Sequence, residues 1–97
     1  MTDDIPELTV RDFERSLVRA QRRRLMVGDI RSGRDIADLR AFVGLSQKDF
    51  AVALGISVRT LQGWEQDRRR PDGPALALLR IAARHPTIIR ENLASAA

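Results

Sequence analysis

An all-α fold is predicted for this 97-residue chain: a small domain of five helices, preceded by an N-terminal helical arm. Three observations predict it. Apolar residues recur at spacings of three and four through most of the chain, no stretch alternates cleanly as a half-buried strand does, and glycines, prolines and capping residues punctuate the sequence at helix-length intervals. Only Leu25-Met26-Val27 reads as a possible short edge strand. The length and the 43% hydrophobic content suit one small core. The chain divides into an arm, residues 1–33, and a domain, residues 34–97.

The elements follow in order. Residues 1–8 are acidic and contain Pro6, and Thr9-Val10-Arg11-Asp12 has the shape of a weak capping box. A helix is expected from Thr9 to about Met26, with Val10, Phe13, Leu17 and Ala20 forming a narrow apolar stripe. Gly28-Asp29 and Ser32-Gly33 mark a linker. From Arg34 a second helix carries Ile36, Leu39 and Val43, and Gly44 ends it as a C-cap. Ser46 caps the segment Gln47–Leu54, Gly55 turns the chain, and Ser57 caps a helix that ends near Gln66. Pro71-Asp72-Gly73-Pro74 begins a further helix with Pro74 at its first position. That helix reaches about Arg84, His85-Pro86 stops it, and a last helix runs from Thr87 to about Leu93.

Composition narrows the function classes. Seventeen basic against thirteen acidic residues give a formal charge of +4, and sixteen of the basic residues are Arg, whose planar fork suits phosphate and guanine. That balance favours a polyanionic partner, with an Arg-rich but ordinary surface as the alternative. With no Cys there is neither a disulfide nor a thiolate metal site, which fits a reducing cytoplasm. No signal peptide or membrane span is expected, and the localisation expected is cytoplasmic, associated with the nucleoid. Catalysis would need a paired nucleophile and base, a metal cluster or a phosphate loop. The chain offers one His and no Tyr, and His85 before Pro86 suits a helix end, so no catalytic residue, metal or cofactor is expected.

The segment 46–66 carries the functional signal. Two short helices cross closely only where the contact residue is small, which Ala51 satisfies, and Gly55 supplies the positive φ of the sharp bend. Phe50, Leu54, Ile56, Leu61 and Trp64 project inward. Gln47, Val58, Arg59, Gln62 and Gly63 then face outward, and the start of the helix at Ser57 is placed to enter a major groove. A plain helical hairpin is the alternative.

The stretch Leu45-Ser-Gln-Lys-Asp-Phe-Ala through Leu54-Gly-Ile-Ser-Val-Arg-Thr-Leu-Gln-Gly-Trp-Glu resembles the Cro/C1-repressor-type (lambda-repressor-like, Xre) helix-turn-helix family. More narrowly, Ser57 to Gln66 followed by Arg68-Arg-Arg-Pro71 and Leu79-Arg-Ile-Ala-Ala-Arg-His-Pro86 resembles HigA/MqsA-type antitoxins of type II toxin–antitoxin systems. The likeness covers about residues 36–93. It implies base contacts by Ser57, Val58, Arg59, Gln62 and Gly63, with Arg59 foremost, read on guanine or on phosphate only. It implies phosphate contacts by Gln47, Lys48 and Gln66. Arg68, Arg69 and Arg70 either grip the backbone or form a solvated face. Arg40 and Glu65 are expected to form a structural ion pair. Asp67 stands where the family usually has glycine.

The implied protein is an antitoxin that binds palindromic operator DNA, represses its own operon and neutralises a HigB- or RelE-like ribonuclease toxin. A stand-alone regulator and a protein-interaction adaptor are the competing readings. The arm stripe Val10, Phe13, Leu17 and Ala20 is the expected toxin contact, although its covering surface could instead be the chain's own core or a sister subunit. Surplus apolar surface at Leu78, Ile81, Ile88, Ile89 and Leu93 predicts a homodimer.

Overall fold

The structure, a computed structural model, describes residues 17–96, and these form six helices. They are α1 (Arg19–Met26), α2 (Gly33–Val43), α3 (Gln47–Leu54), α4 (Val58–Glu65), α5 (Gly73–Arg84) and α6 (Pro86–Ala96). Five helices follow the arm helix, and no strand occurs among the described residues.

Local chemistry sets the ends. Ser46 Oγ accepts from the Asp49 amide at 3.1 Å, Ser57 Oγ from the Thr60 amide at 3.0 Å, and Asp72 Oδ1 from the Ala75 amide at 3.0 Å. Asp72 is the cap that starts α5, which places Pro74 second in the helix rather than first. Gly44 ends α2 with φ 88°, a conformation that a Cβ would strain. Leu25 and Met26, expected as a possible strand, lie in the last turn of α1, and Leu25 is fully buried.

One core joins all six helices: Leu25, Ile36, Leu39, Val43, Phe50, Leu61 and Leu79 retain almost no exposure. α1 packs on α5, and α2 touches α1, α4, α5 and α6. The described part of the arm contributes Leu25 to this core, with Leu17 and Met26 packed against it. Polar contacts strengthen that junction. Arg22 Nε donates to the Ala83 carbonyl at 3.0 Å while Arg84 Nε donates to the Met26 carbonyl at 2.8 Å, so α1 and α5 exchange bonds to free C-terminal carbonyls. α6 does the same for α2 and α3, with Arg90 Nη1 on the Val43 carbonyl and Asn92 Nδ2 on the Ala53 carbonyl.

Asp35 is the one buried charged residue of the described core. Burial works against its charge, but hydrogen bonds from Arg24, the Arg31 amide and Gln21, with the charge of Arg24, outweigh that and hold its carboxyl down to about 2. Arg24 meets it through two bonds of 3.1 Å, and Gln21 also reaches Asp38 at 2.9 Å. Gln21 and Arg24 of α1 are thus bonded to α2, while Arg19 and Arg23 remain exposed.

Two expectations for apolar surfaces change. Val10 and Phe13 lie outside the described residues. Leu17 packs against the core and Ala20 is exposed, so within residues 17–26 the inward face is set by Leu25 and Met26, not by the predicted stripe. Ile89, expected at a dimer surface, is 4% exposed and belongs to the core, whereas its neighbour Ile88 is 50% exposed. Consecutive helical residues point about 100° apart, and sequence alone did not show which isoleucine faced in.

Candidate nucleic-acid interface

The two crossing helices are α3 and α4. Ala51, at the contact, keeps 2% exposure, and Gly55 adopts φ 74° while the Ile56 amide bonds the Ala51 carbonyl at 3.0 Å, which closes the turn. Phe50, Leu54, Leu61 and Trp64 are buried beneath, with Ile56 packed at the edge. The indole of Trp64 is thereby a core group, unavailable for stacking on a base.

Ser57, Val58 and Arg59, at the start of α4, are exposed. The other two expected base readers sit differently. Gln62 is half-buried and donates to Gln47 Oε1 at 3.3 Å, and Gln47 Nε2 donates in turn to Glu65 Oε1 at 3.0 Å. Gly63 is buried, because the Arg69 side chain lies over it, with Cγ and Cδ each 3.6 Å from where a Cβ would be. Position 63 is therefore not an open part of the helix face.

Arg40 and Glu65 meet through Nε to Oε2 at 2.8 Å and Nη2 to Oε1 at 3.2 Å, and Arg40 Nη1 also reaches the Leu45 carbonyl. The Glu65 side chain is 7% exposed. Its charge is compensated by a two-point Arg contact and the Gln47 amide, the arrangement a buried carboxylate requires. Gln47 is consequently tied into the chain Arg40–Glu65–Gln47–Gln62, and its side chain is committed on both sides. Lys48 and Gln66 are exposed.

The end of α4 turns the chain back across the helix. The Arg68 amide bonds the Gly63 carbonyl at 2.8 Å and the Asp67 amide bonds the Trp64 carbonyl at 3.2 Å, a Schellman turn with Asp67 in its left-handed position at φ 61°. Asp is tolerated there at a cost of roughly 1 kcal/mol relative to Gly. A compensating bond is present: Asp67 Oδ1 accepts from the Gly33 amide at 2.8 Å. At Gly33 a Cβ would stand 2.3 Å from the Glu65 carbonyl oxygen and 2.4 Å from that of Trp64, so only glycine permits the start of α2 to approach the end of α4. Gly33 was read from sequence as a helix breaker and Asp67 as a departure from pattern. Together they are the contact between the linker and the end of α4.

Arg68, Arg69 and Arg70 are exposed, but they do not act alike. Arg70 Nη2 turns back to the Ile30 carbonyl at 3.4 Å, while Arg68 and Arg69 join Arg59, Ser57, Thr60 and Gly63 around a cleft of about 210 Å³. Among the described residues no carboxylate lines that cleft, and its three arginines make it attractive to anions.

The order and crossing of α3 and α4 agree with the comparison of families, in which residues 36–81 match the family described as helix-turn-helix. Within that stretch α3, the turn at Gly55 and α4 have the helix-turn-helix arrangement. The chain is similar to Antitoxin HigA-2 of Vibrio cholerae serotype O1, 41% identical over 61 residues, which are 62% of this chain and 59% of the relative. It is also similar to the uncharacterized HTH-type transcriptional regulator YiaG of Escherichia coli K12, 35% identical over 57 residues, 59% of each chain. The chain thus spans about 59% of the length of the curated relatives it matches. No solved structure gives a significant match. Beyond the helix-turn-helix domain, no helix among the described residues is long and apolar enough to cross a membrane.

Proposed function

We propose that this chain is a DNA-binding transcription regulator of the antitoxin kind, which reads a palindromic operator with α4, represses its own operon and neutralises an mRNA-cleaving toxin. The observation that carries the DNA reading is the exposed start of α4, with Arg59 beside a cleft that two further arginines line and that no carboxylate among the described residues lines. A helix entering a major groove presents its first turns to the base edges, and Arg pairs bidentately with guanine O6 and N7. Ser57 and Val58 flank Arg59 at the groove floor. Lys48, Gln66 and Arg68 are assigned to phosphates.

The likeness to Antitoxin HigA-2 supports the toxin partner, a HigB- or RelE-like ribonuclease. Of the arm stripe assigned to it, Ala20 is on the surface while Leu17 packs on the core. Toxin capture is therefore assigned to Ala20 and the preceding Val10 and Phe13. Deleting residues 1–16 keeps the fully buried Leu25 in place, and it should abolish co-purification with the product of the adjoining toxin frame while leaving operator binding intact.

The DNA reading is tested by fluorescence anisotropy on the chain's own upstream region and on random duplex, across salt concentrations. Arg59→Ala should cut operator affinity about 5- to 100-fold, corresponding to roughly 1–3 kcal/mol, and leave random-duplex affinity nearly unchanged. Equal losses on both duplexes would assign Arg59 to phosphate instead. A wild-type chain that binds neither duplex refutes the function.

A further inference from the structure

We infer that Arg69, although it lies outside the reading helix, is a specificity-determining residue that takes the place left vacant at position 63. The inference rests on the DNA-binding function proposed above. Residues 59 and 63 are one helical turn apart and share a face of α4, so whatever covers position 63 faces the same groove floor as Arg59. Gly63 brings no side chain to that position. Its surface is covered by the stem of Arg69, whose Cγ and Cδ lie 3.6 Å from the site of a Cβ and whose Cβ lies at 3.9 Å.

The covering is fixed by backbone rather than by chance contact. The amides of Arg68 and Arg69 both bond the Gly63 carbonyl, at 2.8 and 3.2 Å, so the chain after α4 is stitched to the residue that Arg69 overlies. Asp67, left-handed and bonded to the Gly33 amide, sets the reversal that brings Arg69 there. Arg70 is drawn to the Ile30 carbonyl; Arg69 borders the hollow on that side as well, but unlike Arg70 it also lines a cleft with Arg59, Ser57 and Thr60. A glycine in a helix interior is destabilising relative to alanine. Here a Cβ alone would only touch the Arg69 stem, but no longer side chain stands in the way of a loop arginine lying over the helix face. Arg69 thereby gains the position of a base reader, and its planar fork suits a guanine edge as Arg59 does.

The test is selection of binding sites from a random-sequence duplex pool by the full-length protein, followed by anisotropy on the selected site and on random duplex. Arg69→Lys keeps the charge and removes the fork. It should erase base preference at one or two positions next to those that depend on Arg59, weaken the selected site about 5-fold or more, and leave random-duplex affinity within about 2-fold. Gly63→Leu, whose side chain displaces Arg69 without offering hydrogen bonds, should lose preference at the same positions. In an Arg69→Ala background it should lose nothing further. Melting followed by circular dichroism verifies that each variant is folded.

If Arg69→Lys and Arg69→Ala both select the wild-type consensus, and Arg69→Ala weakens selected and random duplex alike, Arg69 is a phosphate clamp and the inference fails while DNA reading stands. If the wild-type protein enriches no sequence from the pool, the failure lies in the DNA-reading function itself.

Discussion

Two carboxylates with buried oxygens show how single residues hold this molecule. Asp35 has a folded-state value of about 2 against an ordinary 3.8, so its contribution to stability is complete above pH 4 and disappears as the pH falls towards 2. The difference corresponds to about 2 kcal/mol. Thermal melts of wild type and Asp35→Asn should therefore differ most near neutrality and converge at about pH 2; curves that stay parallel would show that Arg24 and Gln21 do not hold the carboxylate. Glu65 is the second case. Glu65→Ala leaves the Arg40 guanidinium, 22% exposed, without its partner and frees Gln47, and a loss of about 3 kcal/mol is expected in urea denaturation. An unchanged midpoint would mean that water replaces the carboxylate without penalty. The Arg40–Glu65 pair could be anticipated from sequence because a recurrent motif carries it. The Asp35 cluster could not, because no local motif links Gln21 and Arg24 to Asp35 and Asp38, which only the packing of α1 on α2 brings together.

At the scale of elements, signals within a few residues were legible and signals across the fold were not. Ser46, Ser57, Gly44 and Gly55 set the limits of α2, α3 and α4 through bonds to their own neighbours, so local sequence was sufficient to place them. The linker differs. Two glycines between helices suggested a break between an arm and a domain, whereas Gly33 serves a close backbone approach to residues more than thirty positions later. Gly33→Ala should thus be costly even though alanine is the better helix former. With only backbone carbonyls to move aside, a loss of about 1–3 kcal/mol is expected by chemical denaturation, and a stabilised variant would contradict the close approach. Within the candidate interface, Arg59 was legible as an exposed first-turn arginine, but the cover over Gly63 depended on a turn whose left-handed residue is an aspartate.

At the scale of the molecule, one exposed apolar face among the described residues lies where α5 meets α6. Ile81 and Ile88, 41% and 50% exposed, border a groove of about 390 Å³ with Leu78, Ala53 and the buried Ile89 behind it. The homodimer expected from the sequence would bury that face, whereas Leu93, also expected there, packs against the core. Light scattering at micromolar concentration should give twice the 10.9 kDa chain mass, and Ile88→Asp should return a folded monomer. A monomeric wild type would remove the basis for a palindromic site with half-sites about 34–36 Å apart. The packing of α1 against α5 has a different consequence, one of time. Arg22 and the Ala83 carbonyl it bonds are 61 residues apart, and a ribosome adding roughly 5–20 residues per second needs on the order of 3–12 s to make that interval. Throughout it, Leu25 is synthesised but has no α5 to cover it. Nascent chains stalled before residue 73 should accordingly be cut by protease within α1, and those that have cleared the ribosome through residue 84 should be resistant.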